Sequence, residues 1–541
     1  MKYILTLAFL LFISPVFAKT YYVNNSLGKD SNNGISKNTA FKSLAKINGL
    51  QLQPGDKILL ASGETFKGTL ELEDCLGTRE NPILISSYKN EDNAIQPIID
   101  SKNFENGILL ENCSHVIVSN IAITGDGGVK TSNPKRQSMH CGILVTTSAK
   151  GNFENIQLKN LNIYDVFFEE KGFNRGEDEV RSANGTQSYG WGIRCINSFE
   201  GAIIKDILIE NCSVTNVAHT GIKFTGRNKN IQNVELIGNK VQDTGGPGIQ
   251  LGNVHKAHIK NNDVNSSGSN NDSRKWGRGS GLWTWGCSDI LIENNSFRNA
   301  NGPADSAGCH IDFNCKNIIV QYCLSENNAG GFCEILGNNY NCAYRYNISI
   351  NDGHRVKNKG GASQEGKTFW LSGYVGRNKQ PKGPFNSYFY NNTIYVKKGI
   401  TANFAVANSA LGVLIANNIF YIEGSSSIVM GDQYKPEVEG EPLIENIYFR
   451  NNLFLRKDNW PEESSIQDET PLFGNPEFKN IDGREIDDFI PQNRMLVKNK
   501  GIVIPKIPGD NIGLFSGLEM KFDILGNKIK GRPDLGAIEL K

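Results

Sequence analysis

The chain has 541 residues, 57 of them basic and 56 acidic, for a formal net charge of +1. That balance leaves no nucleic-acid footprint and no polybasic membrane patch, so neither partner is expected. Glycine is abundant (57 residues against 18 prolines), and an all-β repeat fold of this length runs as one unit as readily as several.

The first elements in chain order are a leader and a cap. Lys2 is a short basic region, 3–17 is apolar and broken by Pro15, and Val16-Phe17-Ala18 fits a signal-peptidase site. The apolar run is too short for a comfortable membrane span, and no cysteine follows closely enough for a lipid anchor. The mature protein is expected to start near Lys19, to be secreted or periplasmic, and to be a monomer. Residues 20–23 read as a strand, 41–50 as a short amphipathic helix stopped at Gly49, and 52–63 as a turn and a buried strand. A helix there suits a solenoid, whose open end would otherwise expose its core. The expected organisation is one domain over 19–541, with 19–75 as cap and first coil and 457–541 as irregular coils, of which 461–520 is expected to cover the open end.

A motif then recurs: alternating β-formers, usually an asparagine, and another apolar pair. It reads ILIENCSV (207–214), VELIGNKV (234–241), AHIKNNDV (257–264), ILIENNSF (290–297), IIVQYCLS (318–325), CAYRYNIS (342–349), SYFYNNTI (387–394), VLIANNIF (413–420) and IYFRNNLF (447–454). Weaker copies lie at 116–123 and 156–163. Its sixth position returns after as few as 23 residues (239 to 262) and as many as 45 (347 to 392), a base period in the twenties with insertions. Asparagine has a mechanism in such a column: it tolerates left-handed torsions at a tight corner, and its amide can bond the next one in a stack. Eleven cysteines in an exported chain would ordinarily indicate disulfides, but the number is odd. Cys195, Cys212, Cys309, Cys323 and Cys333 stand where neighbouring repeats carry Val or Asn, so thiols filling a stacked core are preferred.

With its opening PGDKILLASGETFKG (54–68), its closing GRPDLGAIEL (531–540) and this repeat between them, the chain resembles the right-handed parallel β-helix proteins of the pectate-lyase-like superfamily. The resemblance implies an all-β solenoid whose closing segment is the last strand. It leaves open lyase, glycoside hydrolase, epimerase or tail-spike activity. Insertions at 167–190, 266–279 and 356–366 are too long for simple turns and are expected to rim a groove.

A parallel solenoid stacks equivalent positions about 4.8 Å apart. Alternation turns Arg194, Lys223, Gln250, Trp283, Trp285, His310, Asp312 and Glu334 to one outer face, with Cys309, Ile311, Phe313, Cys333 and Ile335 inside and Phe332 outside. Tryptophan faces beside polar groups suit sugar rings, so the first five are candidate substrate contacts, and Arg194 with Lys223 hints at an anionic glycan. Asp312 and Glu334, 22 residues apart, are expected to be near neighbours on successive coils, the separation a retaining glycosidase needs. Asp312 is read as nucleophile and Glu334 as acid/base, in interchangeable order; Asp305 is a third carboxylate able to replace either, and His310 can tune them. His219 is expected to reach the groove as well.

A polysaccharide lyase is the second reading, with Lys223, Arg194 or Arg227 as base and calcium held by Asp305, Asp312 and Glu334. Against it, no RxPxxR signature occurs, and the NTD, GHG and RIK set of polygalacturonases is missing too. A non-catalytic glycan-binding solenoid is the third. No organic cofactor is expected, since GxGxxG and P-loop patterns are absent, and no CxxC pair supports a zinc site.

Overall fold

The computed structural model describes residues 18–89, 95–129, 139–182, 188–429 and 444–541, so all but the last residue of the expected leader at 1–18 and part of the 167–190 insertion lie outside the described residues. Coil after coil, three strands succeed one another and each pairs in parallel with its equivalent in the next turn. The result among the described residues is three long sheets. Sheet A has 14 strands from Thr20–Val23 to Glu445–Arg450, sheet B 14 from Thr65–Lys67 to Leu472–Phe473, and sheet C 12 from Leu70–Glu73 to Ser426–Ile428. This is the all-β right-handed parallel β-helix expected from the repeat. Inward apolar positions from all three sheets merge into one continuous core, from Tyr21 to Ile466. All eleven cysteines are buried free thiols.

The asparagine column resolves into two adjacent positions with separate tasks. Corner residues such as Asn211, Asn261, Asn294, Asn391 and Asn417 take left-handed torsions, φ 52 to 58°, at the sharp turn from sheet A to sheet B. The next residue points inward and builds the ladder. Asn239 Nδ2 donates to Asn262 Oδ1, and Asn262 Nδ2 to Asn295 Oδ1, each at 2.9 Å. Asn392, Asn418 and Asn452 continue it, and Asp468 ends it. Each Nδ2 also reaches a main-chain carbonyl, as Asn262 does at Leu236, so a buried amide is satisfied within the stack.

The ends differ from the sequence expectation. At the start the helix is only Leu44–Asn48; it is capped by Ser43 and buries Leu44 and Ile47, while Phe41 bridges to Val23 instead of joining it. At the other end Trp460 plugs the core against Phe404 and Phe449, with ring centroids 4.7 Å away in both cases. The closing 531–540 segment is not a strand. The tail turns back along the outside of the A-to-B corner, where Arg345 donates to Gly517 O, Asn391 to Asp534 O, and Gly536 N to Asn417 O.

The insertions share one corner. The described parts of 167–190, with 266–281, 299–308 and 351–366, join sheet B strands to sheet C strands, so they stand together beside the sheet C face.

Candidate active site

On sheet C the strand register sets a straight column. Arg194 pairs with Lys223, Lys223 with Gln250, Gln250 with Trp283, and Trp283 with His310. Ile311 pairs with Ile335 and Glu334 with Trp370, so the column continues through Glu334 to Trp370. A second column, two residues further along each strand, runs from Gly252 to Trp285 and Asp312. All eight predicted residues from Arg194 to Glu334, together with Asp305, line one pocket of about 590 Å³.

This register changes the expected contact between the two acids. Glu334 lies directly beside His310, whereas Asp312 lies beside Leu336, so the carboxylates are diagonal neighbours on successive coils. One strand spacing and two residues of rise put their backbone positions about 8 Å apart, and side-chain reach has to close the rest. Two residues of the alternation also change sides. Phe332, expected outside, is 1% exposed and packs on the core ring of Tyr344. Phe313, expected inside, lines the pocket, because the strand ends at Ile311 and the chain turns there.

Asp312 is held from two sides. Its Oδ2 accepts Trp283 Nε1–H at 2.7 Å and its Oδ1 accepts Phe313 N–H at 2.8 Å. Burial nevertheless pushes its carboxyl up to about 7, with the Asp305 charge adding to the rise. Glu334, equally buried, is pushed to about 8 by burial; Lys367 opposes this, and Asp305 and Asp312 reinforce it. Lys367 is itself anchored over the Trp370 ring at 3.8 Å. His310 is held near 4 by burial, and its Nδ1 is 3.2 Å from Ser280 Oγ, so at neutral pH it is an uncharged imidazole between Trp283 and Glu334.

Asp305 is placed by the loops instead of by a strand. Its Oδ2 accepts Arg278 Nε–H at 2.8 Å, and Arg278 Nη1 in turn donates to Arg181 O in the 167–190 insertion. Its backbone N–H donates to Gln364 Oε1 at 3.0 Å, and its carbonyl accepts from Arg355 at 2.8 Å. Two insertions thus grip one residue directly and a third braces it through Arg278, and it adopts a left-handed φ of 51°. Burial alone would raise its carboxyl, but the Arg278 charge and hydrogen bond hold it below the ordinary range.

Trp283 and Trp285 both face the pocket; Trp285 meets Phe313 edge-on, and Phe313 meets Tyr374. Tyr374, Phe313 and Arg278 escape sequence reasoning because they follow a strand end or lie within an insertion, where alternation carries no signal. His219 does not reach the groove. It is buried between the Trp191 and Trp276 rings, 3.9 and 4.5 Å from them, and burial holds it well below its usual value. Lys223 lies three strand spacings from His310, about 14 Å, so the base expected for a lyase and the three acids do not meet at one point. Among the described residues no group of three His, Cys, Asp or Glu side chains is arranged to hold a metal ion.

No known family profile matches the chain. A curated lacto-N-biosidase of Bifidobacterium longum subsp. longum is 24% identical over an alignment of 629 residues, covering 96% of this chain and 36% of the relative. The chain therefore spans about a third of the length of the curated relative it matches. Among solved structures, the native GH136 lacto-N-biosidase of Eubacterium ramulus superposes with a TM-score of 0.50 at 20% identity, over 84% of this chain and 68% of that one. A complex of XylC with xylose gives 0.51 at 11% identity, over 96% and 98%. These likenesses and the three parallel sheets make this chain a right-handed parallel β-helix with an acid-lined, tryptophan-walled groove on its third sheet.

Proposed function

We propose that the protein is an exported glycoside hydrolase that cleaves a poly- or oligosaccharide laid along sheet C. The observation that carries this is the gathering of Asp305, Asp312 and Glu334 in one pocket beside Trp283 and Trp285, with a counter-cation for each of two acids. The curated relative and the Eubacterium ramulus structure bear the name of a glycosidase, which supports the same class.

In this reading Asp312 is the nucleophile. It accepts two N–H bonds, so of the two strand-borne acids it is the better site for a negative charge. Glu334, whose proton is held more firmly, protonates the departing sugar oxygen and then takes a proton from the water that releases the glycosyl–Asp312 ester. A second assignment of the acid is favoured by one observation: Asp305 is the more open carboxylate, and it can serve as proton donor once a bound glycan loosens the Arg278 contact that keeps its carboxyl low. No organic cofactor enters either version.

The test is a glycan panel. Incubation should give new reducing ends without the ultraviolet absorbance of an unsaturated uronate, and added calcium should not change the rate. Absorbance appearing together with the new reducing ends would establish a lyase; binding without turnover would leave a glycan-binding solenoid. Asp305→Asn and Glu334→Gln, each assayed on a substrate with a good leaving group, tell the two acids apart: the true donor's variant keeps the activated substrate and loses the natural one.

A further inference from the structure

We propose that the groove has a second recognition point, at Trp191, Arg194 and Lys223, that takes the carboxylate or sulfate of an acidic sugar lying a few units along the glycan from the bond that is cut. This rests on the reading of the groove as a glycan-cleaving site.

The register makes Arg194 and Lys223 direct neighbours in the column that ends at Glu334, and both line the same pocket as the three acids. Two cations one strand spacing apart repel each other, an arrangement a structural sheet face avoids. Here they share one support: the buried Trp191 ring carries the Arg194 guanidinium at 4.0 Å and the Lys223 ammonium at 4.9 Å. Such contacts fix the cations over an aromatic face without neutralising them. Arg194 also donates to Met139 Sδ at 3.2 Å, again a neutral group.

No carboxylate pairs with Lys223 among the described residues, and its ammonium is held down to about 7 by burial and by the Arg194 charge. The groups facing it from the packed elements do nothing to reverse this. His219, on the Trp191 ring, is held uncharged by burial, and Arg194 is cationic. The Cys141 thiol near Arg194 is raised to about 12 by burial and stays neutral. An anion entering here would meet the Lys223 ammonium beside the Arg194 charge and restore the proton on Lys223. Between this point and the acids lie Gln250 and the two tryptophans, which suit the intervening neutral rings. The distance of about 14 Å from Lys223 to His310 places the charged sugar outside the position of cleavage.

The experiment measures binding alone, in the Asp312→Asn protein, so that it does not depend on turnover. Calorimetric titration at pH 7 and low salt compares methyl β-glucuronide and glucose 6-sulfate with neutral methyl β-glucoside. At least one acidic ligand should bind tenfold or more tightly than the neutral one; which one does tells carboxylate from sulfate. Its heat should vary with the ionisation enthalpy of the buffer, reporting proton uptake. In a Lys223→Met background the advantage should fall at least fivefold and the proton uptake vanish, whereas Lys223→Arg should keep the affinity and lose the uptake. Equal affinity for charged and neutral ligands, or an advantage that survives Lys223→Met, overturns the proposal. A protein that hydrolyses only neutral glycans and shows no charge preference loses this subsite and keeps its catalytic reading; one that prefers acidic ligands but cleaves nothing keeps the subsite and loses the catalytic reading.

Discussion

Two corners of this helix are built on opposite plans. Where sheet A turns into sheet B, most coils spend two residues: one in a left-handed turn, the next feeding a buried amide or thiol stack. Where sheet B turns into sheet C, the chain inserts loops of very different lengths, and those loops bond to one another and to Asp305. The first corner repeats and carries stability. The second is irregular and positions chemistry. The difference teaches that a solenoid can vary one edge freely because the other keeps the coils in register.

Substitutions on the two sides should separate activity from stability, and the largest effect belongs to the groove. Asp312→Asn should lower kcat by at least about 10³-fold, with the melting temperature unchanged or higher, since a triad-like unit fails as a whole when one member goes. Next comes the loop-held acid. Arg278→Gln removes the charge that keeps the Asp305 carboxyl low, so that pKa should rise. The expected loss is about 10²-fold in kcat with little change in KM, together with a displaced pH profile that simple loop damage would not produce.

On the ladder corner the signs reverse. Asn262→Ala strands its neighbours' hydrogen-bonding groups in the stack and should cost about 1–3 kcal/mol in denaturant unfolding, with kcat unaltered. A drop in kcat as large as the Arg278 variant's would break the comparison, because it would mean the ladder transmits to the site.

The smallest effects are in pH dependence. Asp312 must be ionised and Glu334 protonated, so the rate should climb as pH rises through about 7 and decline through about 8. Stability has its own sign. Both folded-state carboxyls sit above their ordinary values, so the unfolded chain gives up these protons first, and the native state loses stability as pH rises from the carboxylate range toward 8. Glu334→Gln should therefore melt like the wild type near pH 4.5 and a few degrees, roughly 2–4 °C, above it at pH 8.5.

Much of this could be read before any coordinates. The alternation in 308–336 placed His310, Asp312 and Glu334 on the groove side, because a strand's period of two is a local property. Local information ends at the next level. The two-residue offset between Asp312 and Glu334 depends on pairing between coils, which no single segment encodes. Phe332 turns inward because the core at that coil has room beside Tyr344, a fact of distant residues. Asp305 stands out only as a spare carboxylate in the sequence, since its position comes from Arg278, Gln364 and Arg355 in loops without periodicity. The closing segment misled for the opposite reason: its composition suits a strand, but the last pairing edge is already taken up near Leu472–Phe473, and the tail packs outside.

The most direct test of the central claim is to trap the covalent intermediate. A 2-fluoro glycoside of the sugar released in the panel, carrying a good leaving group, would be incubated with the protein, and the labelled peptide sequenced by mass spectrometry. The account predicts a stoichiometric adduct on Asp312, formed more slowly when Glu334 or Asp305 is replaced. A label on Glu334 or Asp305, or full turnover of the natural glycan by the Asp312→Asn protein, would contradict it.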